Sequence, residues 1–154
     1  MKVAFFHGLD SDPISDKNYK LRQFFDEVYD PKMDYRNESD LFNKVLSHLK
    51  KNPVDLLIGS SMGGYFAYCL STHLGIRTLL FNPAVHSRPI NPNVSMGDLK
   101  SNHLIILGTK DIVIKPQPTV EFFKSVDNCS IIFEDIEHTI PIEIFKKYIS
   151  LYKI

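Results

Sequence analysis

The chain alternates short apolar runs with amphipathic segments along its length. Lys2 to Phe6 ends in four consecutive apolar residues, the pattern of a strand covered on both faces. Asn18 to Glu27 carries Tyr19, Leu21, Phe24 and Phe25 and predicts a short helix. Val28 to Asp30 predicts a brief strand, stopped by Pro31. Asn37 to Lys51 spaces Leu41, Val45 and Leu49 four apart, with Phe42 and Leu46 beside them, which predicts a helix with a wide apolar stripe. Val54 to Gly59 predicts the next buried strand, and Met62 to Leu74 a helix. Arg77 to Phe81 and His103 to Leu107 read as strands, and Pro118 to Val126 as a helix opened by proline. Cys129 to Phe133 is the last predicted strand, and Pro141 to Tyr152 the last helix.

Strands separated mostly by helices imply βαβ units and a mainly parallel sheet, so the expected fold is a three-layer α/β sandwich. One segment breaks the rhythm. Asn82 to Asn102 carries three prolines and Gly97 with little periodicity, and loops of that length are often functional.

The 154 residues suit one domain over 1–154. Apolar residues are 44% and charged residues 23%, as in ordinary globular proteins. Eighteen basic residues balance eighteen acidic ones, which argues against nucleic acid or an anionic membrane as the main partner. Cys69 and Cys129 have neither CxxC nor zinc spacing and are expected to be buried thiols. No stretch suits a signal peptide or a membrane span. A soluble cytoplasmic protein is expected.

Gly59-Ser60-Ser61-Met62-Gly63 fits G-x-S-x-G between a predicted strand and a predicted helix. A nucleophile there stands on a strained turn, and its neighbours two residues away must be small. Gly59 and Gly63 meet that need, and Gly64 is expected to let the helix lie close to its strand. The competing expectation for Ser61 is a helix cap.

A serine nucleophile needs a base. Of six histidines, His138 follows the last predicted strand, at the carboxyl edge that the Ser61 turn shares. His86, in the proline-rich loop, is the second choice. Asp111, after the strand ending at Leu107, is the expected carboxylate, with Asp135 its rival. The order Ser61, Asp111, His138 is the Ser…Asp…His order of α/β-hydrolases. Oxyanion donors are expected at the N–H groups of Met62 and of Leu9, in the turn made by Gly8. Leu9, Met62, Ile112, Val113 and Ile140 are apolar residues near this expected site and suit an acyl chain. His138 would take the Ser61 proton on attack and return it to the leaving group, with no metal or organic cofactor.

The segments Phe6-His7-Gly8-Leu9-Asp10-Ser11, Ile58-Gly59-Ser60-Ser61-Met62-Gly63-Gly64-Tyr65, Phe81-Asn82-Pro83-Ala84-Val85 and Gly108-Thr109-Lys110-Asp111 together resemble the small YqiA/YcfP-like esterases of the α/β-hydrolase superfamily. The resemblance runs from Lys2 to about Ile140. It implies a cytoplasmic serine hydrolase acting on small-molecule acyl esters or thioesters, with Ser61, Asp111 and His138 as its catalytic set. It also implies a trimmed hydrolase sheet of order 2-1-3-4-5-6 without a cap domain, in which only the 82–102 loop could act as a lid.

Two other classes stay open. A flavodoxin-like module would cradle a nucleotide or flavin phosphate at Gly59 to Gly64, although no phosphate-binding glycine motif is present. A hydrolase-like scaffold without activity would serve only as a binding protein. Lys17, His86 and Arg88 are polar residues that could meet a substrate or simply face water.

Overall fold

Six strands, all parallel, form one sheet of order β2-β1-β3-β4-β5-β6 in a computed structural model that describes residues 1–153. The elements in chain order are β1 (Lys2–Phe6), α1 (Asp16–Phe24), β2 (Glu27–Tyr29), α2 (Leu41–Lys51), β3 (Leu56–Ser60) and α3 (Met62–Leu74). They continue with β4 (Thr78–Phe81), β5 (His103–Gly108), α4 (Pro116–Phe123), β6 (Cys129–Glu134) and α5 (Ile142–Ile149), which ends in a 3₁₀ turn over Ser150–Tyr152.

The central strands feed two cores by strict alternation. Ala4, Phe6, Leu57, Leu80, Ile105 and Leu107 face one side, where Leu49 of α2, Phe66 of α3 and Phe123 of α4 cover them. Val3, Phe5, Leu56, Ile58, Leu79, Phe81 and Ile106 face the other, under Leu21 of α1 and Phe145, Tyr148 and Ile149 of α5. A strand apolar on both faces is therefore what each layer requires, and it explains the continuous apolar runs.

Several boundaries differ from the sequence expectation. α1 starts at Asp16 because Ser15 caps it, accepting from the Asn18 N–H. α2 starts at Leu41 rather than Asn37, since Asp34 ties residues 34–38 into a turn through the Asn37 and Glu38 N–H groups. α4 opens two residues early, at Pro116. Cys69 is buried as expected, whereas Cys129 is only half-buried at the start of β6. Burial pushes the two thiols up to about 12 and about 11, so neither is an accessible thiolate near neutral pH.

The 82–102 segment is the crossover that joins β4 to β5. It travels from the carboxyl end of β4 to the amino end of β5; its first part stays at the edge that holds Ser61, where Asn93 Nδ2 donates to the Ser39 carbonyl just before α2. Thr72, near the end of α3, anchors its far part: Gly97 N–H donates to Thr72 Oγ1 at 2.8 Å and Leu99 N–H to the Thr72 carbonyl at 2.9 Å. Arg88 is used within the segment. Its guanidinium donates to the Ala84 and Val85 carbonyls and lies 4.0 Å from the Tyr65 ring centre. Among the described residues, no helix is long and apolar enough to cross a membrane.

Candidate active site

The strand β3 and the helix α3 meet at Ser61, whose backbone has φ 54° and ψ −117°. That conformation costs on the order of 1–3 kcal/mol for a non-glycine residue and persists only where the surroundings hold it. Here they do. Ser61 N–H donates to the Phe81 carbonyl at 2.9 Å, and its own carbonyl accepts from Gly64, Tyr65 and Ala84.

The glycines around it are sterically required, each against a different neighbour. A Cβ on Gly59 would sit 2.2 Å from the Gly63 carbonyl oxygen, and a Cβ on Gly63 would sit 2.0 Å from the Phe6 carbonyl oxygen. Gly64 faces Pro83 at 2.9 Å, so its closest approach is to the segment after β4 rather than to its own strand. Gly8 is different. A Cβ there would make ordinary contact, 3.5 Å from Ser61 Cβ.

Ser61 does not cap α3 with its side chain. Its Oγ lies 3.1 Å from His138 Nε2, and His138 Nδ1 lies 2.7 Å from Asp111 Oδ2. Asp111 is an acceptor only, so the Nδ1 position carries the ring proton and Nε2 is free to accept from the hydroxyl. The Asp111 side chain is fully buried, and its other oxygen accepts from Val113 and Ile114 N–H at 2.9 and 2.8 Å. Three hydrogen bonds thus fix one carboxylate. The rival Asp135 is exposed and pairs with Lys110 at 3.0 Å instead.

Two loops at this edge are tied together. Thr109 N–H donates to the Glu134 carbonyl and Lys110 N–H to the Ile136 carbonyl, at 2.9 and 3.0 Å. Asn82, which the sequence reading did not single out as a site residue, completes the tie. It is buried, with φ 41°. Its Oδ1 accepts from Gly108 N–H at 2.8 Å, and its Nδ2 donates to the His138 carbonyl at 3.0 Å. One amide therefore links the ends of β4 and β5 to the loop that presents His138. The only local hint is an asparagine before a proline at a strand end, which asparagine's tolerance of positive φ suits.

The turn after β1 comes to the same edge. His7 is buried, donates from Nδ1 to the Gly8 carbonyl at 2.8 Å and accepts the Met33 N–H at Nε2 at 3.0 Å. Tyr35 Oη donates to the His7 carbonyl at 2.7 Å, and Arg36 pairs with Asp10 at 2.8 Å. The turn is thereby fixed from outside. Neither the Leu9 N–H nor the Met62 N–H has a hydrogen-bond acceptor among the described residues. The remaining histidines are engaged by other groups, His86 at the same edge and the others away from it. His86 bonds to the Lys115 carbonyl, His73 to Ser95 and His103 to Thr78, while His48 stacks on Tyr29.

Lys17 lies in the first turn of α1, half-buried, and burial lowers its pKa. A cleft of about 760 Å³ opens at the amino ends of the strands, lined by Met1, Tyr29, His48 and Asp55. It is on the edge opposite Ser61. Among the described residues, no three His, Cys, Asp or Glu side chains gather as a metal site.

Residues 2–95 match the uncharacterised protein family UPF0227. No curated protein matches the sequence. Among solved structures, a protein described as a hydrolase of the alpha/beta superfamily from Xanthomonas campestris pv. campestris superposes with a TM-score of 0.74 at 17% identity, covering 97% of each chain. Est1E from Butyrivibrio proteoclasticus gives 0.75 at 12% identity, over 98% of this chain and 86% of that one. A monoacylglycerol lipase from Paleococcus ferrophilus gives 0.74 at 14% identity, over 97% and 93%. Likeness at these identities establishes the fold. With more than half its length matched, the chain belongs to family UPF0227, the YqiA/YcfP-like esterases, and its fold is that of the α/β-hydrolases.

Proposed function

We propose that the protein is a serine hydrolase that cleaves acyl esters or thioesters through an acyl-enzyme, with the whole chain acting as one hydrolase domain. The observation that carries this is the relay from Ser61 Oγ to His138 Nε2 and from His138 Nδ1 to Asp111, set on a strained turn. The fold neighbour named as a monoacylglycerol lipase agrees with a small-molecule ester substrate.

His138 takes the Ser61 proton as Oγ attacks the acyl carbonyl. Asp111 holds the ring in the tautomer that can accept it and stabilises the imidazolium. The carbonyl oxygen, now negative, rests on the N–H groups of Met62 and Leu9, both without an acceptor among the described residues. The Met62 N–H opens α3, so the positive end of the helix adds to the field there. His138 then gives its proton to the leaving alcohol or thiol. Water attacks the acyl-enzyme with His138 again as base, and Ser61 is released.

Labelling with a fluorophosphonate probe and mass-spectrometric mapping tests the reading. One adduct is expected at Ser61, and Ser61→Ala should lower ester hydrolysis at least ~10⁴-fold. Full hydrolysis by that variant would sink the mechanism. No labelling at all would leave the non-catalytic scaffold, and a purified protein carrying a flavin or nucleotide would favour the phosphate-binding module.

A further inference from the structure

The two most exposed large apolar side chains of the described molecule are Ile14, 90% exposed, and Ile112, 85% exposed. Both sit on loops that follow carboxyl ends of strands, Ile14 after β1 and Ile112 after β5. In the sheet order these strands flank β3 and β4, so the two loops stand on either side of the Ser61 turn. Val113, 61% exposed, adds a second branched apolar side chain next to Ile112.

Ile112 and Val113 are held in this position. Asp111 Oδ1 accepts the N–H groups of Val113 and Ile114, which closes the backbone into a tight turn. Ile114 packs inward and is buried, while Ile112 and Val113 are left outside. The same carboxylate holds His138 through its other oxygen. The apolar pair therefore begins one residue from the group that orients the base. Side chains this exposed contribute little to either core, so core packing does not account for them.

We infer that Ile112 and Val113 form a specificity surface that takes an aliphatic chain of the substrate, with Ile14 extending the apolar rim across the Ser61 turn. The inference rests on the proposed ester or thioester hydrolysis and names its substrate class: compounds with a medium-length alkyl group rather than small polar esters. A chain lying on such an open surface buries only one side, so its effect on selectivity is moderate. About tenfold between short and medium chains is the expected scale, at the low end of what apolar contacts give in enzyme pockets.

The test compares kcat/KM for p-nitrophenyl acetate with p-nitrophenyl octanoate, and for ethyl acetate with octyl acetate, all below their aggregation concentrations. The wild type should prefer the longer chain in one series, which tells whether the surface holds the acyl or the alcohol side. The double variant Ile112→Ser/Val113→Ser should lower that preference roughly tenfold. Leu151→Ser, at a residue 64% exposed in the turn after α5, should leave the ratio where it was. Circular dichroism and Tm check that each variant is folded. An unchanged ratio in the double variant overturns the inference while leaving the hydrolase reading intact, and so does an equal shift in the Leu151 variant. A wild type that hydrolyses none of the four esters overturns both.

Discussion

Asn82 holds three pieces of backbone with one side chain: its own turn after β4, Gly108 at the end of β5, and the carbonyl of His138. A glycine in its place keeps the positive φ without strain but removes both hydrogen bonds. Two buried groups are then left to find water, which costs about 1–3 kcal/mol for each that fails. The loop carrying His138 also loses its tether. On the proposed mechanism, Asn82→Gly should therefore lower kcat about 100-fold, with KM for a small ester nearly unchanged, because the defect would lie in aligning the proposed base rather than in binding. Asn82→Asp separates the two roles. It still accepts from Gly108 but sets a carboxylate against the His138 carbonyl, so it should remain slow even if part of the lost Tm returns. A kcat near wild type in both folded variants, measured well below their Tm, would show that Asn82 only stabilises the fold.

At the scale of elements, the β4–β5 pair contains a buried titratable group away from the site. His103 opens β5, with Nδ1 2.9 Å from Thr78 Oγ1 on β4 and its ring 5.2 Å from that of Tyr68. Burial lowers its pKa below the ordinary histidine value of about 6.5. The folded protein thus prefers the neutral imidazole, whereas the unfolded chain takes up a proton near about 6.5. The stabilising contribution is fully present above that value and is lost as pH falls toward the lower folded pKa. Thermal unfolding between pH 7.5 and pH 5.5 should show a Tm that declines on acidification, with a shallower slope in His103→Gln. Equal slopes would mean that His103 is not the group that titrates. The elements themselves were largely legible in the sequence, because each central strand feeds both cores and so reads as an unbroken apolar run. The meeting of Ser61, Asp111 and His138 could be anticipated for a related reason: the carboxyl ends of parallel strands share one edge. What was not legible depended on distant partners. Asn82 bonds to residues 26 and 56 positions away. The 82–102 segment looked like a free loop because its anchor, Thr72, sits on another element. The start of α2 was obscured because 34–38 form a turn whose polar side chains fit either reading.

For the molecule as a whole, the arrangement of the cores sets how it should unfold. The two layers do not touch each other; each packs on one face of the same sheet, and consecutive residues of β1, β3, β4 and β5 alternate between them. Removing one layer would expose the face of strands whose other face is still covered, so neither layer has an independent core. That is the physical ground for treating the chain as one cooperative domain, and it can be tested by loosening each side separately. Leu49 of α2 belongs to one layer and Leu21 of α1 to the other, and both are buried. Leu49→Ala and Leu21→Ala should each cost about 2–5 kcal/mol. At roughly 2–4 °C per kcal/mol for a chain of this size, each should lower Tm by about 5–20 °C. In both variants calorimetry should show one transition, with equal calorimetric and van't Hoff enthalpies. If either substitution instead split the transition, leaving one part at the wild-type Tm, the layers would be separate folding units. The site's stability would then belong to whichever layer carries α3.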